Sequence, residues 1–177
     1  MAFKRVENGV YIKKDRENGG KERRINNKRG RNMKYALRGI TAEELSYSIN
    51  RVKMDPNTKF EIKPQFSRTI RTVKENDKLH FVTLEVKVES TQESPKPFNL
   101  TARLVGIFEA EDVVTDEDKQ ILAISMTEIV YPYLRSAVSA LTANAFVNPL
   151  ILPVIPAGTM FPEDRAATSF DAPDALN

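Results

Sequence analysis

The sequence predicts an α+β fold, in which a four-stranded antiparallel meander sheet is followed by one long helix kinked by a proline. Two observations support this prediction. Four segments between residues 44 and 108 alternate apolar and polar side chains with a period of two, which is typical of strands with one buried face. After Glu111 the apolar side chains recur at the spacing of a helix instead. Short connections between consecutive strands favour antiparallel neighbours.

The first two predicted strands lie between residues 44 and 70. Their apolar positions are Leu45, Tyr47 and Ile49 in the first strand, and Phe60, Ile62 and Phe66 in the second. Pro64 cannot donate a hydrogen bond to a neighbouring strand. We therefore expect the second strand at an edge of the sheet or at a bulge.

The third and fourth predicted strands continue the same alternation. Residues 79–88, LHFVTLEVKV, place Val82, Leu84, Val86 and Val88 on one face. Residues 98–108, FNLTARLVGIF, alternate through Phe98, Leu100, Ala102, Leu104 and Phe108. We expect these residues to cover a core on one side of the sheet.

The predicted helix begins after Thr115, whose hydroxyl can cap free backbone amides, and the acidic residues 116–118 suit the positive end of the helix dipole. Its apolar residues, from Ile121 to Leu141, cover more than one stripe. Such width predicts burial on two sides, against the sheet and against another subunit. Pro132 removes a backbone donor, so we expect it to kink the helix or to divide it.

Composition limits the chemistry of the protein. The 177 residues are enough for one domain with a sizeable core and too few for two. There is no Cys and a single His, His80, which disfavours a Cys nucleophile, a His-based triad and a multi-His metal site. The sequence also lacks a Gly-rich phosphate loop. We therefore predict a protein that is not an enzyme and uses no cofactor or metal, with His80 in a structural role.

Residues 136–162 contain no charged side chain. A membrane-spanning helix needs about 20 apolar residues, but Pro149, Pro153 and Pro156 interrupt any helix in this stretch. The N-terminus lacks the apolar region of a signal peptide. We expect a cytoplasmic protein without a membrane span, in which the uncharged stretch has another purpose.

Positive charge is concentrated near the N-terminus. Residues 1–34 contain twelve Lys or Arg and four acidic residues, a balance of +8, which leaves −5 for residues 35–177. This basic leader has few apolar residues, so we expect it to be disordered, and its composition is equally compatible with a natural start at Met33. The folded domain is expected to span residues 35–161 and to be followed by a flexible tail over residues 162–177.

Three motifs occur in order along the second half of the chain. They are Gly106-Ile107-Phe108 at the end of the last predicted strand, Tyr131-Pro132-Tyr133-Leu134-Arg135 in the helix, and the apolar, proline-containing stretch PLILPVIP at residues 149–156. Together they resemble the SecB family of protein-export chaperones, over roughly residues 35–161. The aromatic-Pro-Tyr-x-Arg motif is the most specific of the three.

The resemblance implies a purpose for the uncharged stretch. SecB-like proteins are ATP-independent holdases, usually dimers of dimers, which bind non-native polypeptides in an accessible apolar groove. Some of them protect an antitoxin of a toxin–antitoxin system instead. An exposed apolar patch beyond a few hundred Å² marks a binding surface. We therefore expect a homo-oligomeric chaperone for export clients or for a dedicated partner such as an antitoxin.

The resemblance also implies candidate site residues. The expected client-binding residues are Ile62, Phe66, Phe146, Leu150, Ile151, Leu152 and Ile155. Ile62 and Phe66 have a competing interpretation as plain core, since apolar strand residues usually point inward. Tyr133 and Arg135 are expected in packing and at the subunit interface. In export members an acidic surface docks the translocase motor ATPase, and Glu44 matches one of its positions.

The sequence departs from the family in two places. The amphipathic helix that normally follows the crossover is expected to be short or absent, because Pro162 and Pro173 break the C-terminal sequence. Near Glu44, Ser48 stands where the family has an acidic residue. In the last strand, Asn99 and Thr101 stand where a Leu and an acidic residue are expected. This weak docking surface favours a dedicated partner over the export motor.

Nucleic-acid binding through the basic leader is the alternative function. Lys and Arg side chains in residues 1–34 suit contacts with phosphates. Against it, the chain has no recognisable nucleic-acid-binding motif, and its strands carry no basic and aromatic platform for single strands.

Overall fold

The computed structural model describes residues 3–6, 10–13, 23–26, 32–51 and 62–164. The strands are β1 (Phe3–Val6), β2 (Val10–Lys13), β3 (Arg23–Asn26), β4 (Asn32–Ile49), β5 (Gln65–Val73), β6 (Asn76–Val88) and β7 (Phe98–Glu111). The helices are α1 (Asp116–Asn144) and α2 (Ala157–Met160). β1 and β2 pair with each other as an antiparallel hairpin, and the other five strands form the main sheet.

The main sheet is antiparallel, with the strand order β3-β4-β7-β6-β5. An antiparallel sheet followed by one long helix confirms the predicted fold class. β5, β6 and β7 form a meander, whereas β4 pairs with β7 instead of with β5, so the four long strands have Greek-key order. As Pro64 indicated, β5 lies at the edge of the described sheet and begins directly after this proline.

β4 begins at Asn32, well before the predicted first strand. Its first residues pair with β3, and Met33 and Tyr35 are buried in the core. Residues 23–26 and 32–34 therefore belong to the sheet, and the expected disordered leader over residues 1–34 is corrected for this part. Its other residues, apart from β1 and β2, lie outside the described chain.

Two bulges in β4 explain why its alternation is hard to read from the sequence. The pairing with β7 shifts between Leu37 and Gly39 and again between Ala42 and Glu44. Each extra residue changes which side chains face a given side of the sheet. The positions that share the core side of the sheet are consequently Tyr35, Leu37, Ile40, Ala42, Leu45, Tyr47 and Ile49.

The core lies between the sheet and α1. Every position predicted to face inward on β6 and β7 is buried, namely Val82, Leu84, Val86, Val88, Phe98, Leu100, Ala102, Leu104 and Phe108. From α1 the buried apolar residues are Leu122, Ala123, Met126, Val130, Tyr131, Leu134 and Val138. These helix positions recur at intervals of three and four residues, so one face of α1 packs on the sheet.

α1 begins with the predicted cap. The Thr115 hydroxyl accepts a hydrogen bond from the backbone N–H of Asp118 at 3.1 Å, and the Asp118 carboxylate accepts one from the backbone N–H of Thr115 at 2.8 Å. This reciprocal capping box satisfies two free donors at the start of the helix. α1 then continues through Pro132 to Asn144 as one helix, so the proline does not divide it. None of the helices in the described part of the chain combines the length and hydrophobicity that crossing a bilayer requires.

Gly106 allows α1 to approach the sheet closely. A Cβ atom at this position would lie 2.5 Å from Cγ2 of Val130 on α1 and 2.8 Å from Cε2 of Phe108. Both distances are shorter than carbon atoms tolerate. The glycine is therefore required by packing between the two layers.

Replacing Gly106 with Ala should lower the free energy of unfolding by about 1–3 kcal/mol, because the added methyl overpacks the interface between α1 and the sheet. Gly39→Ala is the matched control, since no heavy atom lies within 4 Å of a Cβ there. Urea denaturation of the two variants measures the difference. Equal losses in both would show that close packing at Gly106 is not the reason.

The predicted tail also needs correction at its start. Phe161 and Asp164 are buried, so the folded part extends at least to residue 164 rather than ending at residue 161. α2 has only four residues, in agreement with a second helix that is short. Residues 165–177 of the expected tail lie outside the described residues.

His80 is buried on the core side of β6. Its Nδ1 lies 3.0 Å from Oγ1 of Thr72, and its Nε2 has no hydrogen-bond partner among the residues that the structure describes. Burial lowers the pKa of His80 below its ordinary value, and the charge of Asp77 only partly opposes this shift. The fold therefore favours the neutral imidazole, which fits a structural role.

The stability of the protein should fall as the pH drops below about 6.5, the ordinary pKa of histidine. Below this pH, His80 binds a proton in the unfolded chain but not in the folded protein, because its folded pKa is lower. The stability that neutral His80 contributes is therefore complete above about pH 6.5 and is lost as the pH falls towards the folded pKa. His80→Asn should show a smaller difference in unfolding free energy between about pH 7.5 and about pH 5.5 than the parent. The same difference in both proteins would contradict the role of His80.

Candidate functional site

The candidate site is centred on the segment after α1. We call residues 146–156 the crossover segment, which has neither helix nor strand. Three of its apolar side chains point into solvent: Phe146 is 98% exposed, Val154 80% and Ile151 65%. Phe146 has a φ of 59°, in the left-handed region that bulky residues rarely adopt. Large apolar side chains are thus concentrated on one exposed, uncharged segment.

Side chains of α1 fix the backbone of the crossover segment through three hydrogen bonds. These bonds join the Tyr131 hydroxyl to the Pro153 carbonyl (2.6 Å), Arg135 Nε to the Leu152 carbonyl (3.0 Å), and the Leu150 N–H to Oγ1 of Thr142 (2.9 Å). Each bond pairs a backbone group that a proline-interrupted segment does not satisfy by itself. The exposed side chains are therefore presented on an anchored backbone.

This anchoring gives the Tyr131–Arg135 motif a structural purpose. Tyr131 and Arg135 are four residues apart, so both face the crossover segment from the same side of α1. Burial raises the pKa of the Tyr131 hydroxyl above its ordinary value, with Arg135 opposing the shift, so the hydroxyl keeps the proton that it donates. The Tyr131 ring also meets Phe66 of β5 edge to face, with the ring centroids 6.0 Å apart.

The predicted client-binding residues fall into three groups. Phe146 and Ile151 are exposed, whereas Leu150, Ile155, Ile62 and Phe66 are partly buried and pack against the core. Leu152 is 1% exposed and belongs to the core, so a client does not reach it in this structure, in contrast to the expected accessible contact. The hydrogen bond from Arg135 to the Leu152 carbonyl holds this residue against α1.

Sequence reasoning missed Val154 and the exposure of two residues on β4. Val154 is 80% exposed, and nothing in the sequence distinguishes it from Ile155, which also lies between Pro153 and Pro156 but packs against the core. Leu45 and Ile49 were expected on a buried face, and they share the core side of the sheet but are exposed in the single chain. Nothing in their alternation indicates that α1 leaves them uncovered.

The predicted interface residues differ in their surroundings. Tyr133 is about half exposed on α1, whereas Arg135 contacts the crossover segment of its own chain. Arg135 therefore has an intramolecular role whatever it contacts in an oligomer.

Glu44 lies on the sheet face opposite to α1. Its carboxylate is 3.5 Å from Nη1 of Arg103, which also pairs with Glu85. Burial alone would raise the pKa of Glu85, but hydrogen bonds from Arg103 and Lys87 lower it below its ordinary value. Arg103 thus places a positive charge beside Glu44, on the surface that was expected to be acidic.

Changing Tyr131 to Phe should lower the free energy of unfolding by about 1 kcal/mol and increase amide exchange at Leu150 and Leu152, because the Pro153 carbonyl loses its donor. Tyr133→Phe removes a hydroxyl from an exposed ring on the same helix and serves as the control. Urea denaturation and hydrogen exchange followed by NMR measure both effects. An unchanged crossover segment in Tyr131→Phe would mean that the hydroxyl does not anchor it.

The fold and the site together define a protein with a five-stranded antiparallel main sheet, one long helix that covers it, and an exposed apolar crossover segment anchored to that helix. Residues 38–168 match the family model described as preprotein translocase subunit SecB. Because this match spans most of the chain, the chain belongs to the SecB family.

Relatives that are named SecB agree with this assignment. The chain is 30% identical over 107 residues to the protein-export protein SecB of Azoarcus sp., covering 59% of this chain and 71% of that protein. It is 29% identical over 128 residues to SecB of Orientia tsutsugamushi strain Boryong, covering 69% and 78%. It is also 31% identical over 83 residues to an uncharacterized protein of Methanocaldococcus jannaschii, covering 45% and 53%. The match spans about half the length of the Methanocaldococcus jannaschii protein and about half the length of SecB of Anaplasma marginale.

A solved structure shares the fold. It is that of a SecB-like chaperone of Mycobacterium tuberculosis in complex with a ChAD peptide from the HigA1 antitoxin. The TM-score is 0.57 at 18% sequence identity, and the match covers 68% of this chain and 90% of that one.

Proposed function

We propose that this protein is an ATP-independent chaperone of the holdase type, which binds non-native polypeptides at the crossover segment. The exposure of Phe146, Ile151 and Val154 on an anchored backbone carries this proposal. A folded monomer gains nothing from three large apolar side chains in water, whereas an unfolded client offers apolar side chains that can cover them. Membership of the SecB family supports the same function.

Binding of this kind needs neither ATP nor a catalytic group. Burial of apolar surface contributes about 25 cal/mol per Å². The crossover backbone is already held by Tyr131, Arg135 and Thr142, so little of this free energy is spent on ordering the segment. A bound client is kept from aggregating because its apolar segments are covered.

We place the direct client contacts at Phe146, Ile151 and Val154, with Leu150 and Ile155 as half-buried neighbours. Phe66 extends this surface towards β5, because its ring meets Tyr131, whose hydroxyl holds the crossover segment. Ile62 precedes β5 and packs partly against the core. These residues form an apolar surface between the crossover segment and the edge of the sheet, which we call the client groove.

A dedicated partner, such as an antitoxin, is the second form of this proposal. Arg103 supports it, because its pairing with Glu44 and Glu85 opposes the acidic character that docking of a translocase motor ATPase would require. A chaperone with the same fold has been solved with an antitoxin peptide. Export clients remain the alternative that the family suggests.

We also propose that the protein functions as a homo-oligomer, as a dimer or a dimer of dimers. Beyond Tyr35, none of the described strands pairs with the edge of β4 that faces away from β7. Leu45 and Ile49 are exposed on this strand, and Tyr133 is exposed on α1. A second copy would satisfy the free strand edge and cover the apolar side chains.

Replacing Phe146, Ile151 and Val154 together with Ser should abolish suppression of the aggregation of a slowly refolding client. Each apolar side chain contributes about 1.5–3 kcal/mol when fully buried, so the loss of three weakens binding far more than tenfold. The fold should survive because all three side chains are exposed.

Val114→Ser is the matched control, since Val114 is 70% exposed but lies between β7 and α1. Light scattering of the client measures suppression, and circular dichroism confirms folding. A folded triple variant that suppresses aggregation as well as the parent would refute the proposed site.

A further inference from the structure

An ion pair in the described structure joins two distant parts of the chain. Arg68 on β5 binds both carboxylate oxygens of Asp164, at 2.7 and 2.8 Å. The Arg68 and Asp164 side chains are only 5% and 0% exposed. Arg68 also donates to Oγ1 of Thr127 on α1 at 3.2 Å, and its guanidinium lies 4.5 Å from the centre of the Phe161 ring.

These contacts place residues 157–164 between α1 and the edge of the sheet. Gln120 on α1 donates a hydrogen bond to the Glu163 carbonyl at 2.6 Å, so the segment is held from the helix side as well. Arg68 is two residues from Phe66 and shares its face of β5. Residues 157–164, which we call the covering segment, therefore lie beside the client groove.

The covering segment and the crossover segment are anchored independently. Arg68 and Gln120 hold the covering segment, whereas Tyr131, Arg135 and Thr142 hold the crossover segment. One can therefore move while the other stays in place. The crossover segment ends at Pro156, and the covering segment begins with α2 at Ala157.

From this geometry we propose that the covering segment is a displaceable cover of the β5 end of the client groove, kept closed by the Arg68–Asp164 ion pair and opened by a bound client. This inference rests on the proposed chaperone function and adds to it a closing contact. Opening would uncover Phe161 and the β5 surface beside Phe66, and would lengthen the apolar groove.

A buried ion pair suits a cover that has to open. The two charges lose hydration when they are buried, which offsets much of their attraction, so the pair adds less net stability than its geometry suggests. Both charges regain water when the segment lifts. Removing Arg68 alone is different, because the buried Asp164 carboxylate then loses the cation that binds both of its oxygens, and the closed state is disfavoured.

The first test uses the protein without a client. Arg68→Met should increase amide exchange at Asp164, whose N–H bonds to the Phe161 carbonyl at 3.1 Å, by at least about tenfold, because the closed state loses its ion pair. Arg68→Met combined with Asp164→Leu should restore slow exchange, since apolar partners can replace a buried pair. Arg71→Met, an exposed arginine on the same strand, should change nothing.

Exchange in Arg68→Met equal to that in Arg71→Met would overturn the proposed closing contact. If Arg68→Met does not fold, Asp164→Asn, which keeps the shape of the side chain, decides the same question. Failure of the double variant to restore slow exchange would show that the charges themselves are needed for closure.

The second test uses the unmodified protein and a reduced, carboxymethylated polypeptide that cannot refold. Saturation with this client should increase exchange at Asp164 and leave the amides of β6 unchanged. Unchanged or slower exchange at Asp164 with the client bound would refute displacement. If the client does not bind at all, the proposed function fails, whereas the exchange results without client still decide the closing contact.

Discussion

The contact between Gly106 and Val130 brings α1 close to the sheet, and the geometry of the candidate site depends on this approach. With α1 in this position, one helical face fills the core. The adjoining side presents Tyr131 and Arg135 to the segment that follows the helix. Even a methyl side chain at residue 106 would push α1 away from the sheet, and Tyr131 and Arg135 would move with the helix.

The site reconciles two opposing requirements. Apolar side chains in water favour burial, yet a binding surface for non-native chains has to keep them accessible. The crossover segment meets both requirements because hydrogen bonds hold its backbone on α1 while some of its apolar side chains stay in water. Leu152 enters the core and Leu150 and Ile155 pack partly against it, whereas Phe146, Ile151 and Val154 stay outside.

The sequence predicts those features of the fold that arise from local periodicity and local capping. Alternation places the core residues of β6 and β7, and the Thr115 cap places the start of α1, because both patterns arise from neighbours along the chain. The order of strands and the full length of β4 escape this reasoning, since alternation does not identify a partner strand and the two bulges reverse it. Local periodicity does not predict the ion pair between Arg68 and Asp164 either, because these residues are 96 positions apart in the chain. Asp164 lies in a stretch whose composition resembles a flexible tail.

The central claim is that the crossover segment contacts the client directly. Its most direct test places a photo-reactive side chain at Ile151 or at Val114 and irradiates each protein with a non-native client. The account predicts cross-linked client from position 151 and none above background from position 114. Equal yields at the two positions, or cross-links from position 114 alone, would contradict it.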